Sequence, residues 1–249
     1  DHTQFSNRVS QHVSVPNGMD PPEHGPFRHL IEPYFSEQRV AWFRPLCRAI
    51  ADDLAQPLQG RDAVDIMADF ALPFALRAQC AFMGWPQSLQ QRLQDWIQRS
   101  HQARFAQDRP ALAQLAAAFD AMIDEQLAQR RQSAAAQEAD ITSELMRSRV
   151  NGRPLSDAEM ASILRNWTVG EVGTLAAAIG IIAHYLADNA ALQQRLRAQP
   201  EQLYYANDEI QRMHNPLLEN RRRATCPVEL GGRQIGQDEQ VVINWVAAN

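Results

Sequence analysis

The chain has 249 residues, 45% hydrophobic and 21% charged, with 11 Gly and 14 Pro; this is the make-up of an ordinary globular protein, neither disordered nor fibrous. That length supports one large domain or two small ones with a substantial core. A formal charge of −5 argues against a general nucleic-acid or anionic-membrane partner, because such proteins neutralise phosphates with an excess of Lys and Arg.

Asp1 opens the chain without a positively charged leader, and Asn249 follows an apolar run without a helix-stop signal, so both ends read as cut. Asp20-Pro21-Pro22-Glu23 reads as a helix beginning, with Asp20 as N-cap and Glu23 reaching back as a capping box. His24 and Arg28 follow, four residues apart. On one helix face they form a clamp for a carboxylate, or else a surface His beside a surface Arg; if Pro26 breaks the turn they need not share a face. Amphipathic periodicity then predicts helices over 36–55, 63–83, 87–106, 110–132, 141–149, 156–188, 190–198 and 201–213. The breaks carry Gly60, Gly84 with Pro86, Pro110, Asn151-Gly152 and Pro200. The Ala- and Gln-rich stretch 132–138 reads as a loop or loose connection, and the longest apolar run, Leu175 to Ala183, is too short to cross a bilayer. Alternation over 228–235 predicts a small hairpin, and 240–245 a further β run. No repeat of 20 to 50 residues is present.

The segment richest in chemical content is Asn166-Trp167-Thr168-Val169-Gly170-Glu171-Val172-Gly173-Thr174, continued by apolar residues to Ile182. A helix apolar all round crosses a core. Two glycines within it each cost about 1 kcal/mol relative to Ala, which points to a place where the backbone opens or approaches something closely. Glu171 and Thr174, three residues apart, supply a carboxylate and a hydroxyl for proton relay. Alternatively the glycines admit a bulky neighbour, and Thr174 bonds a carbonyl one turn back. Glu209 and Arg212 make a Glu-x-x-Arg pair whose spacing recurs at Glu144–Arg147 and Glu219–Arg222; by spacing alone such pairs are solvated contacts. Arg221-Arg222-Arg223 reads as an anion contact or a solvated loop. Seven His and three Cys form no metal-binding spacing, and neither a GxSxG elbow nor a phosphate loop occurs. Cys47, Cys80 and Cys226 are odd in number and far apart, which suits a reducing compartment and predicts a cytoplasmic protein.

Taken together, these segments resemble bacterial cytochromes P450 along nearly the whole chain. Asp20 to Leu30, followed by Pro33-Tyr34-Phe35-Ser36, is similar to their C-helix region; Asn151 to Glu159 resembles the turn before their long I helix; Gly170 to Thr174 falls where that helix passes the oxygen site. Glu209 to Arg212 matches the K-helix pair, and Arg222, Val228 to Gly232 and Trp245 to Asn249 resemble the strands that follow. The resemblance implies a mainly α fold with a long central helix and a small β region near the C-terminus, present as one partial domain over 1–249, C helix through K helix. It implies haem (iron protoporphyrin IX) as cofactor, with His24, Arg28 and Arg222 binding its propionates, Thr174 and Glu171 assisting proton delivery, and Glu209–Arg212 as a buried structural ion pair. It further implies hydroxylation or dealkylation with dioxygen and two electrons from a ferredoxin or a fused reductase, and no nucleic-acid or membrane partner. The apolar residues around Phe82 to Pro86 and Asn166 to Val169 point to a hydrophobic or aromatic substrate. The I-helix wording is most similar to self-sufficient, reductase-fused members. Two departures stand out: Gly173 occupies the place where the family usually has an acid before the threonine, and the chain stops before the family's axial-cysteine motif. Since that thiolate drives the chemistry, the piece alone is expected to be inactive. The alternative from another class is a non-catalytic helical interaction module on the same scaffold, with an unrelated all-α ligand-binding regulator as a third reading.

Overall fold

The computed structural model describes residues 1–10, 13–132 and 140–248. The expected loop at 132–138 therefore lies outside the described residues except for Gln132. After a short strand β1 (Phe5–Ser6), the chain runs through α1 (His24–Ile31), α2 (Glu37–Ala55), α3 (Leu72–Met83), α4 (Ser88–Phe105), α5 (Arg109–Gln132) and α6 (Ile141–Arg147). Most bounds fall within a few residues of those predicted, and local chemistry explains the differences. The predicted helix from 63 begins with a π turn at Ile66–Ala71, where the Asp65 carboxylate accepts from the N–H groups of Met67 and Ala68 at 3.0 Å each. Asp20 does not cap α1. Its carboxylate binds the Ser6 hydroxyl and the Asn7 amide (2.9 Å), and the helix starts four residues later at His24. Pro26 lies in the first turn of α1, where its missing N–H has no intrahelical partner to lose, so the helix continues unbroken.

The predicted helix over 141–149 stops at Arg147 and gives way to the hairpin β2 (Arg149–Val150) and β3 (Arg153–Pro154). Asn151 (φ 49°) and Gly152 (φ 78°) supply the two left-handed residues that such a two-residue turn requires. The central helix follows as α7 (Asp157–Arg165), a π turn at Asn166–Gly170, and α8 (Glu171–Ala187). It opens on a capping box: Ser156 Oγ accepts from the Glu159 amide (3.2 Å), and the Glu159 carboxylate accepts from the Ser156 amide (2.8 Å). Arg153 adds two bonds to that carboxylate, at 2.9 and 2.7 Å, and holds its pKa down at about 2.

Beyond α9 (Ala190–Ala198) and α10 (Leu203–Met213) come β4 (Glu219–Ala224), β5 (Val228–Leu230), β6 (Arg233–Ile235), β7 (Gln240–Asn244) and α11 (Trp245–Ala248). The arginine run is strand rather than loop: β4 lies between β1 and β7 in an antiparallel sheet, with Phe5 opposite Ala224 and Arg222 opposite Val241. The β5–β6 hairpin turns at Gly231 and Gly232, as the alternation predicts.

The core forms where α3 and α4 meet the central helix and α5, around Leu76, Met83, Leu93, Phe119, Ile123 and Leu164. Arg130, at the end of α5, pairs with Asp140 at 3.1 Å and donates to the Gly84 carbonyl at 2.6 Å, tying three helix ends together. Ile66–Met83 and Asp157–Ala187 are both long and apolar enough to cross a membrane by length and composition; the second extends well beyond the 175–183 run.

Widening a helix by one residue leaves carbonyls without their usual partners. At the central π turn, other groups meet that demand. Gln79 Nε2 reaches from α3 to the Trp167 carbonyl (2.5 Å) and the Thr168 hydroxyl donates to the Leu164 carbonyl (2.6 Å); the Asn166 side chain separately anchors the N-terminal segment, its Nδ2 donating to the Val15 carbonyl (2.9 Å).

Two outcomes follow for unfolding in urea. Replacing Gln79 by Leu leaves the Trp167 carbonyl without its donor and should lower the unfolding free energy by about 1–3 kcal/mol; an unchanged value would show the bond to be dispensable. Glu159 has a depressed pKa, so its stabilisation is present above the ordinary value of 4.5 and is lost as the pH falls through about 2. The stability difference between the protein and its Glu159→Gln variant should therefore shrink across that interval, and a constant difference would contradict the assignment.

Candidate functional site

The widened turn ends at Gly170, and Gly173 follows one turn later. A Cβ built at either position meets nothing within 4 Å, so packing within the described chain does not require glycine there. Gly180 differs, since its Cβ would run into the Met67 sulfur. The space beside Gly170 and Gly173 opens into a cavity of about 370 Å³ whose far wall is α4, from Trp96 and Ile97 to Ser100, His101 and Arg104, with Pro216 at its edge. Thr174 lines the same cavity, half-buried, and its hydroxyl donates to the Gly170 carbonyl at 3.0 Å. Thr174 thus bonds the carbonyl one turn back and also lines the cavity.

Glu171 lines a different cavity. It faces a space of about 390 Å³ between α2, α3 and the central helix, walled by Phe35, Phe43, Phe82 and Trp167. Desolvation among these groups raises its carboxyl pKa above the ordinary value. Helical spacing alone places Glu171 and Thr174 as neighbours, but the structure turns them towards separate cavities. The same holds for Phe82 and Trp167, the aromatic residues read as lining the substrate site. Their rings, 5.9 Å apart, pack on the Glu171 side with Phe35 and Phe43.

His24 and Arg28 do share a helix, one turn apart on α1. Arg28 lies more than half exposed, with Nε bonded to Glu32 at 3.1 Å. Arg222, in the middle of β4, lines a polar cavity of about 330 Å³ with Asn7, Ser14 and Asn220. Its Nη1 donates to the Arg221 carbonyl at 2.7 Å, and among the described residues no carboxylate pairs with it.

Glu209 and Arg212 form the expected pair through two bonds of 2.8 and 2.7 Å. Its surroundings differ from the expected burial: both side chains are more than half exposed, because α10 buries only Ile210 and turns the pair outward. The Arg212 hydrogen bond holds the Glu209 carboxyl below its usual range.

No cluster of three or more His, Cys, Asp or Glu suited to a metal ion occurs among the described residues. Cys80 is buried in α3, and desolvation pushes its thiol up to about 12; burial also raises Cys47. Both are neutral thiols rather than thiolates. Sequence reasoning passed over the polar residues of α4. Their signal lies in the spacing 97, 100, 101, 104, a single helix face whose earlier members Leu89 and Leu93 are buried and apolar, and which turns polar at Ser100.

No protein-family model matches the chain. It is 33% identical over 247 residues to a probable cytochrome P450 127A1 of Sinorhizobium fredii, covering 98% of this chain and 58% of that protein. It is 24% identical over 252 residues to linalool 8-monooxygenase of Pseudomonas putida, covering 98% of this chain and 61% of that protein. The fold matches a solved structure of a mutant of P450 EryK in complex with erythromycin B, with a TM-score of 0.86 at 22% identity over 100% of this chain and 65% of that one. The chain thus spans about three-fifths of the length of the curated relatives it matches. The likeness to reductase-fused members finds no support in these relatives. With sequence similarity along its whole length and the fold in agreement, the chain belongs to the cytochrome P450 family.

Proposed function

We propose that the chain serves a haem-dependent monooxygenase that hydroxylates or dealkylates a small hydrophobic substrate, using dioxygen and two electrons from a ferredoxin or a fused reductase. The observation that carries this reading is the open space beside Gly170 and Gly173, next to the Thr174 hydroxyl, at a turn where the helix is widened. Helix interruptions of this kind concentrate at functional sites.

The residues present fit a haem. Two glycines leave room that no side chain of the described chain fills. Arg222, which lines the separate polar cavity with Asn7 and Ser14, offers a cation without a carboxylate partner among the described residues, and His24 with Arg28, the latter bonded to Glu32, offers further donors, in keeping with a cofactor whose edge carries propionates. When bound, haem supplies the iron at which dioxygen is activated. The part of Thr174 is to hold a proton at Oγ beside that space, and its bond to the Gly170 carbonyl keeps the oxygen in place. Glu171 opens on the other side of the helix, so any contribution it makes to proton delivery passes through an intermediary. We read residues 1–249 as one partial domain of a cytoplasmic protein without nucleic-acid or membrane partners.

Adding haemin to the full chain should give a saturable change in the Soret region. Arg222→Ala and Gly173→Leu should each weaken that binding about tenfold or more, the first by losing a charge-assisted bond and the second by filling the space. Cys80→Ser should leave it unchanged. A flat spectrum throughout the titration would favour the non-catalytic scaffold.

A further inference from the structure

We infer that the substrate carries a carboxylate, which Arg104 and His101 of α4 hold while an apolar body rests on Trp96 and Ile97. The word substrate rests on the monooxygenase reading; the anion site rests on the cavity itself. On an amphipathic helix, the stripe that faces a neighbouring helix is ordinarily apolar. In α4 that stripe begins so, with Leu89, Leu93 and Ile97 buried. It then continues as Ser100, which is buried, and as His101 and Arg104, which are exposed, in front of the widened turn. Nothing in the described chain answers these polar groups. Ser100 is 3% exposed, yet its hydroxyl has no hydrogen-bond partner among the described residues. Buried polar groups are nearly always paired, so an orphan hydroxyl beside an open cavity points to a missing partner.

The charge of that partner follows from the lining. Arg104 contributes a guanidinium that makes no ion pair among the described residues, whereas Arg92, three turns earlier on the same helix, is paired with Glu125 at 2.8 Å. Among the described residues no Asp or Glu lines the cavity. A guanidinium presents a planar fork of donors that matches a carboxylate, and one imidazole nitrogen and a serine hydroxyl nearby add further donors. Opposite them the cavity offers Gly170, Gly173 and Thr174, so an acid anchored on α4 would extend its other end towards the widened turn. A volume of about 370 Å³ suits a small organic acid.

Isothermal titration calorimetry of the full chain with phenylbutyrate and with its uncharged analogue phenylbutyramide tests this, with haem uptake read by absorbance on the same samples. The acid should bind about tenfold more tightly than the amide, the margin between a charge-assisted and a neutral hydrogen bond. Arg104→Gln should abolish that margin and leave the amide unaffected, while Arg44→Gln, in the aromatic cavity, should change neither. Equal binding of acid and amide, no binding of the acid, or a margin that survives Arg104→Gln would overturn the inference. Haem uptake with no preference for the acid would overturn it and leave the haem reading standing. A preference removed by Arg104→Gln without haem uptake would support the anion site and overturn only the oxygenase reading.

Discussion

The structure turns on one backbone demand: a helix widened through Asn166–Gly170 must find partners for carbonyls that its own ladder no longer serves. Those partners come from two places: Gln79 belongs to α3, and Thr168 and Thr174 to the central helix itself. At the same turn the Asn166 side chain donates to the Val15 carbonyl of the N-terminal segment. Meeting the demand thus locks the central helix to the α3 layer, and the Asn166 bond ties the N-terminal segment to the same point. The gain is an opening: with glycine at 170 and 173, backbone rather than side chain faces the cavity under α4.

The widened helix also separates two environments. On one side, Phe35, Phe43, Phe82 and Trp167 form an aromatic wall that desolvates Glu171. On the other, Thr174 faces the polar end of α4. A carboxylate and a hydroxyl three residues apart therefore experience different surroundings, and direct proton exchange between them is not the arrangement seen. Gly173, standing where the resemblance leads one to expect an acid, is part of the same economy: it leaves room beside the helix instead of adding a charge. The anionic partner inferred for Arg104 would bring negative charge to that side from the ligand.

Much of this fold is legible in the sequence because it is helical, and helical patterns are local. The central helix was predicted over 156–188, its interruption is signalled by Gly170 and Gly173, and its start by Ser156 and Glu159. The missed pieces depend on distant partners. β4 holds three arginines in a row and reads as a loop until Phe5 and Val241 are seen to pair with it. Asp20 has the residue type of an N-cap, but Ser6 and Asn7 take its carboxylate. Glu209 and Arg212 are paired as their spacing implies, yet spacing carries no information on what covers α10. The polar stripe on α4 was readable in principle, but the residues it faces lie about seventy positions further on, and only the fold brings them opposite.

The central claim, that haem sits against Gly170, Gly173 and Thr174, is tested most directly by NMR of the amide-labelled protein loaded with paramagnetic ferric haem. Signals of Gly170, Gly173 and Thr174 are expected to broaden most, while Phe43 and Cys47 of α2, whose side chains line the aromatic cavity, stay sharper. Broadening centred on Phe43 and Cys47, with Thr174 little affected, would contradict the account.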